Sequence, residues 1–276
     1  MRIIGVIILL LLFFGCQENK PSTTTLTYEN GKNRGSGEMS DTLKIGEWVF
    51  WYENGIVRDT SNWTNDTLDG LFVSFHQNGR KASAGEYEMG QRNGEWNWWD
   101  DNGNIQECSF WKAGNPNGFA TTYFENGFVR TQAEWLNGVL EGKVKMYDTE
   151  GRLTEITKYL NGLKEGEAQL FYSNGQLEIK GQFIADKQDG LFTTYYSNGN
   201  IQSEIRWSEG FMDGESVEYD SIGNITGRGP YLNGSKTEEW RYQGYIISYV
   251  QTPPQKKYMT YILMKATYQF KFTSYK

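Results

Sequence analysis

With two cysteines and a single histidine, the sequence has almost no means of holding a transition metal. The histidine, His76, shares its repeat slot with Tyr52, Asp100, Phe124 and Asp148. It therefore reads as a turn-flanking residue, and no catalytic triad can be built on it. If Cys16 is modified, Cys108 is the one remaining thiol and no internal disulfide can form. A surplus of positive charge is missing too, with 27 basic residues against 34 acidic ones, which argues against a nucleic-acid partner. Helix-opening context is absent around the glycine-rich fragments, so none reads as a phosphate-binding loop. Acidic residues do recur before a glycine at Asp69, Glu141, Glu165, Asp189 and Asp213. Their even step marks a turn position rather than a pair of glycosidase carboxylates. No catalytic residue, metal site or cofactor is predicted, and the chain is read as a non-enzyme.

What the sequence has in abundance is glycine and aromatic residues placed at a fixed step of 24. One glycine series runs Gly31, Gly55, Gly79, Gly103, Gly127, Gly151, Gly175, Gly199 and Gly223, and a second runs from Gly46 through Gly70 and Gly94 to Gly214. Two aromatic series keep the same step, beginning at Trp51, Phe75, Trp99 and at Trp63, Tyr87, Trp111. A period of this length without insertions means a tandem array in which each unit packs on its neighbours.

The unit reads as a β-hairpin and a tight return. Glu53-Asn54-Gly55 and its copies suit a three-residue loop that closes with glycine in the left-handed region. Asn137-Gly138, Asn161-Gly162 and Asn233-Gly234 form the return, and Asp66 or Asp186 replaces glycine where it is missing. Short turns force each strand to pair with its chain neighbours. The predicted fold is all-β: an elongated antiparallel meander of 24-residue hairpin repeats, one layer thick. Regular alternation from the loop puts residues 51, 57, 61 and 63 on one face. Trp48, Phe50, Tyr52, Phe72, Trp96 and Trp98 then point the other way, where packing makes no demand for rings.

The pattern Gly-x-Trp-x-x-Trp-Tyr-x-Asn-Gly at residues 46–55, followed by Trp63, resembles the bacterial variant of the MORN repeat. The resemblance covers residues 28 to about 240. It implies the single-layer ribbon already read from the spacing. Proteins of this kind are often labelled antitoxin-like, so the resemblance also implies a neutralising protein as one functional expectation.

The ends carry different signals. Arg2 precedes an apolar run over residues 3–14, too short to span a membrane and of signal-peptide length, which stops at Gly15-Cys16. Cys16 is the predicted lipid attachment site of an outer-membrane lipoprotein in the cell envelope, with Gln17 in the following position. Residues 1–15 are assigned to the signal peptide, 16–27 to a flexible tether, 28–240 to the repeat array and 241–276 to a C-terminal cap or irregular tail. That tail holds no acidic residue and is rich in lysine and tyrosine.

Three functional classes follow. The leading one is a lipid-anchored scaffold that binds another envelope protein through Trp48, Phe50, Tyr52, Phe72, Trp96 and Trp98. A glycan or choline-type ligand held by exposed rings is the second, and the antitoxin-like protein is the third. Slot 48 varies, as Trp48, Phe72, Trp96, Ala120, Val144, Ala168, Phe192 and Ser216, and this favours a protein partner over a repeated small-ligand site. The alternatives for this face are cover by neighbouring side chains or pairing with a second copy.

Overall fold

The computed structural model describes residues 20–243 and 245–249, so residues 1–19, with the segment predicted as a signal peptide and Cys16, and most of the C-terminal tail lie outside the described residues. The chain divides into two units, residues 1–187 and 188–276. Among the described residues there is no helix.

Each repeat is a hairpin of a nine-residue and an eight-residue strand. The first of these is Leu43–Trp51 with Val57–Thr64. In the first unit its copies begin at Thr67–Phe75, Gln91–Trp99, Asn115–Tyr123, Val139–Tyr147 and Leu163–Phe171; in the second they begin at Lys187–Tyr195 and Phe211–Tyr219. Every assigned pairing is antiparallel, as the short turns require.

Both turns match the sequence reading. Tyr52 N–H donates to Ile56 O at 2.8 Å and Gly55 N–H to Tyr52 O at 2.9 Å, which defines a loop of residues 53–55 with Gly55 at φ 87°. In the return, Asn137 and Gly138 have φ 50° and 84°, the two left-handed residues of a type I′ turn. Asp66 and Asp186 take φ 62° and 67° in the same place.

The face assignment is different. Trp51 pairs with Val57, but Phe50 pairs with Asp59, so Arg58 is an extra residue on its strand. The same shift recurs at Tyr123/Val129, Tyr147/Leu153 and Tyr219/Ile225. One inserted residue reverses the parity of everything beyond it. Residues 48, 50, 59, 61 and 63 therefore share one face, the inner one, while 51 and 57 lie on the outer face. The two aromatic series stand on opposite sides of the sheet.

The N-terminal end also differs from expectation. Ser22–Thr27, assigned by composition to the tether, is a strand paired in register with Asn33–Ser40. At the other end Glu238–Tyr242 pairs with Tyr245–Tyr249, and Trp240, in repeat register, is fully buried.

Candidate binding surface

A continuous row of side chains runs across the strands on the inner face. In the first unit it reads Gly37, Trp48, Ser61, Phe72, Gly85, Trp96, Ser109, Ala120, Ala133, Val144, Thr157, Ala168 and Gly181, and successive members are cross-strand neighbours. Trp48 is 0 % exposed and Trp96 1 %. Each lies flat on a glycine of the preceding strand: a Cβ on Gly37 would stand 2.4 Å from the Trp48 ring, and one on Gly85 would stand 2.3 Å from Trp96. The indole N–H groups donate to Glu38 O and Glu86 O at 3.0 Å. The Trp240 indole repeats this on Gly229 and Pro230 O.

Large residues in the row sit between small ones. In the second unit Ile205 takes a slot that is small elsewhere, and its partner Ser216 is small in compensation. The variability of slot 48, taken from sequence as the mark of a partner, is thus a packing balance.

The six predicted binding residues are accounted for in these terms. Trp48, Phe50 and Trp96 are buried, and Phe72 and Trp98 are half-buried against Trp96, at ring separations of 5.8 and 5.7 Å. Tyr52 is at the turn, where its hydroxyl donates to Phe75 O at 2.8 Å and ties one repeat to the next. The structure brings five of the six together on one face, but it is the packed inner face that also carries residues 61 and 63, and they stand there as core. Tyr28 and Tyr196 make the same tie, and His76 Nε2 makes it to Trp99 O at 2.9 Å.

Cation cages do form on this face, and the chain fills them itself. The Arg92 guanidinium lies 4.9 Å from the Trp96 ring centre, 5.5 Å from Trp98 and 5.0 Å from Trp111. Lys44 Nζ is 4.7 Å from Trp63, and Lys236 Nζ is 3.6 Å from Trp240. Such contacts contribute roughly 0.5–2 kcal/mol each, depending on desolvation.

Beside the aromatic row runs a polar one. Asp59, Glu107 and Glu155 recur every second repeat, each accepting from a hydroxyl two residues on: Ser61, Ser109 and Thr157. Trp63 and Trp111 donate in turn to Ser61 and Ser109 at 2.9 Å. Burial pushes the Glu107 carboxyl up, partly offset by the Ser109 hydroxyl and by Arg92. Burial and the Glu155 charge push the Tyr159 phenol up to about 12. This face is closed by its own hydrogen bonds.

The recurrent acidic residues have structural partners. Glu141 and Glu165 accept the N–H groups of Asn161 and Ala185 in the following return, both at 2.9 Å. On the outer face, burial and the charge of Glu95 push the Cys108 thiol up to about 11, so very little thiolate exists at neutral pH. Among the described residues no group of three or more His, Cys, Asp or Glu side chains is placed to hold a metal ion.

Four segments match the model of the MORN repeat variant family, at residues 44–65, 92–113, 164–185 and 188–208. These four segments, together under a third of the chain, are similar to the MORN repeat variant. Each matched segment holds an opening glycine, at Gly46, Gly94, Gly166 and Gly190, whereas the flat inner ring stands in the first two as Trp48 and Trp96 and is replaced by Ala168 in the third. No curated protein matches the chain. Solved structures that are similar to it include chains of the TcdB2-TccC3 and TcdB2-TccC3-TEV crystal structures, at 9 % and 13 % identity and a TM-score of 0.20 for both. The match covers 82 % of this chain, which spans 15 % and 13 % of those chains. A likeness this slight bears on neither fold nor function.

What sequence reasoning missed is exposed on the other side and along one edge. Leu136, Val139, Leu160, Leu163 and Ile184 are exposed around three consecutive returns. Val139 packs on the next return, 3.3 Å from where a Cβ on Gly162 would stand. The same slots in earlier copies hold Thr64 and Thr67, Glu88 and Gln91, Lys112 and Asn115. Strand-end slots that change from polar to aliphatic at residue 136 were the available signal.

Proposed function

We propose that the protein is a non-enzymatic, lipid-anchored repeat scaffold that binds another protein of the cell envelope. The observation that carries this reading is the aliphatic edge around residues 136–184, where large apolar side chains are exposed at three consecutive returns. Repeat arrays offer such extended surfaces, and their variable slots set partner choice. The inner rings, by contrast, give little support to the glycan or choline-type reading, because Lys44, Arg92 and Lys236 already occupy the cages. The anchor is Cys16, at the end of the apolar run, which would place the scaffold on the outer membrane.

Two measurements test this. Crosslinking and pull-down from intact envelope should recover a specific protein with the wild type and lose it with Leu160→Lys plus Leu163→Lys, whose circular dichroism should be unchanged. Recovery of glycan alone, or an unchanged protein list, would contradict the interface. Cys16→Ser should leave the membrane fraction and take up no labelled fatty acid; a variant that stays with membranes would contradict the anchor.

A further inference from the structure

A second surface, independent of the anchored-scaffold reading, lies on the outer face of the first unit. Each residue beside a buried inner-row residue points to the opposite side of the sheet. Next to Gly85, Trp96, Ser109, Ala120, Ala133, Val144 and Thr157 stand Glu86, Glu95, Phe110, Phe119, Glu134, Lys143 and Lys158, all exposed. They form one row. Glu95 pairs directly with Phe110, Phe119 with Glu134 and Lys143 with Lys158.

Two features of this row call for a partner. Phe119 is 66 % exposed and Phe110 41 %, two rings side by side in a row whose other members from Glu86 to Lys158 are charged. Lys143 and Lys158 stand directly across from each other, an arrangement that is destabilising on its own. Neither forms an ion pair within 4 Å among the described residues, although the nearby Lys180 does, with Glu167 at 3.0 Å.

The order of the row identifies the partner. Counting strands outward from Phe119, Glu95 lies two strands to one side and Lys143 two to the other. Glu86 and Lys158 lie three strands out. At about 4.8 Å per strand these are offsets of roughly 10 and 14 Å on both sides. A two-fold axis along the Phe119 strand therefore brings Glu95 onto Lys143, Glu86 onto Lys158 and Phe119 onto itself. We infer that a second copy of this chain docks here, outer face to outer face and antiparallel, with Phe119 on the axis. Two-fold symmetry makes each Glu–Lys contact twice, four in all, and it relieves the lysine pair in both copies. An unrelated partner would have no reason to meet charges of opposite sign at equal distances from one ring.

Reversing the charges tests this with the full chain. Sedimentation velocity at about 100 µM should show a dimer that weakens with added salt. Glu86→Lys plus Glu95→Lys should be monomeric, as should Lys143→Glu plus Lys158→Glu, each at least about tenfold weaker in self-association. Mixing these two variants should restore a dimer, because each then presents four like charges to four opposite ones. Phe119→Asp should also be monomeric with an unchanged far-ultraviolet spectrum. A monomeric wild type would overturn the inference. So would a dimer indifferent to either reversal, or reversed variants that stay monomeric when mixed.

Discussion

Residues 37–111 and residues 115–181 share one backbone and fill it in opposite ways. The earlier copies bury Trp48 and Trp96 and half-bury Phe72 against glycine and serine, and close cations over the rings. In the later copies the same slots hold Ala120, Val144 and Ala168, while Phe119, Leu136, Val139, Leu160 and Leu163 are exposed. Turn geometry is the same in both: Gly55 and Gly127 have φ 87° and 86°. The difference teaches that the turns and the bulge set this fold, whereas ring volume is distributed freely so long as neighbours compensate. The early copies place rings in the inner row, where the later ones place alanine or valine.

Truncating the core should separate the two regions most. Trp96→Ala removes a ring from a fully packed row and should destabilise by about 3–5 kcal/mol, whereas Val144→Ala should destabilise by about 2 kcal/mol. Urea titration followed by hydrogen exchange of the affected strands would measure both. Equal losses would mean that the early rings are not the core of their copies.

The turns should not separate the regions at all. Gly127→Val meets nothing within 4 Å of its Cβ, so its effect is purely that of a β-branched residue at φ 86°, about 1–3 kcal/mol. Gly55→Val should destabilise equally, for the same reason. A smaller loss in one region would break the claim of a shared turn.

Much of this was legible in the sequence, and what was not has one main cause. The 24-residue step gave the hairpin, the three-residue loop and the left-handed Asp66 and Asp186, since those depend on local backbone preference. The bulge at Arg58 recurs in every copy and so leaves the period untouched. Periodicity alone cannot show on which side of it the faces swap. The signal that could have shown it was the matching of sizes, with Gly37 before Trp48, Gly85 before Trp96 and Ile205 before Ser216. Ser22–Thr27 was missed because its composition is tether-like, although Gly31 stands in the turn series and calls for a strand before it. The exposed rings Phe110 and Phe119 fall outside both aromatic series and were for that reason passed over.

Slot 52 offers a smaller contrast. Tyr52 ties its repeat to the next, and Tyr52→Phe should cost about 1 kcal/mol. Asp100 and Asp148 occupy the slot in two other copies and instead accept N–H groups of their own turns, those of Asn102 and Asn104 and of Glu150 and Arg152. Desolvation pushes both carboxyls up, but these hydrogen bonds outweigh it and hold them below the ordinary value. Their contribution is present above the unfolded carboxylate value near about 4 and is lost as pH falls through the lower folded value. Asp148→Asn should flatten that acid limb in thermal melts, and an unchanged limb would remove the turn clamp.

Glu107 should show the smallest effect and the opposite sign. Its folded carboxyl is raised, so the folded state binds the proton more tightly and stability falls as pH rises from the ordinary carboxylate value through the raised one. Glu107→Gln keeps an acceptor for Ser109 and should abolish this fall. A variant with the wild-type pH profile would place the titration elsewhere.

The central claim is that the inner rings are core, each lying flat on a glycine of the neighbouring strand, and a double-mutant cycle at Gly85 and Trp96 tests it most directly. Gly85→Ala in the wild type should destabilise by about 1–3 kcal/mol, because its Cβ would stand 2.3 Å from the Trp96 ring. In the Trp96→Ala background the same change should be neutral or stabilising, giving a coupling of at least about 1 kcal/mol. Additive losses would mean that the Trp96 ring does not cover Gly85, and the inner face would again be open to a partner.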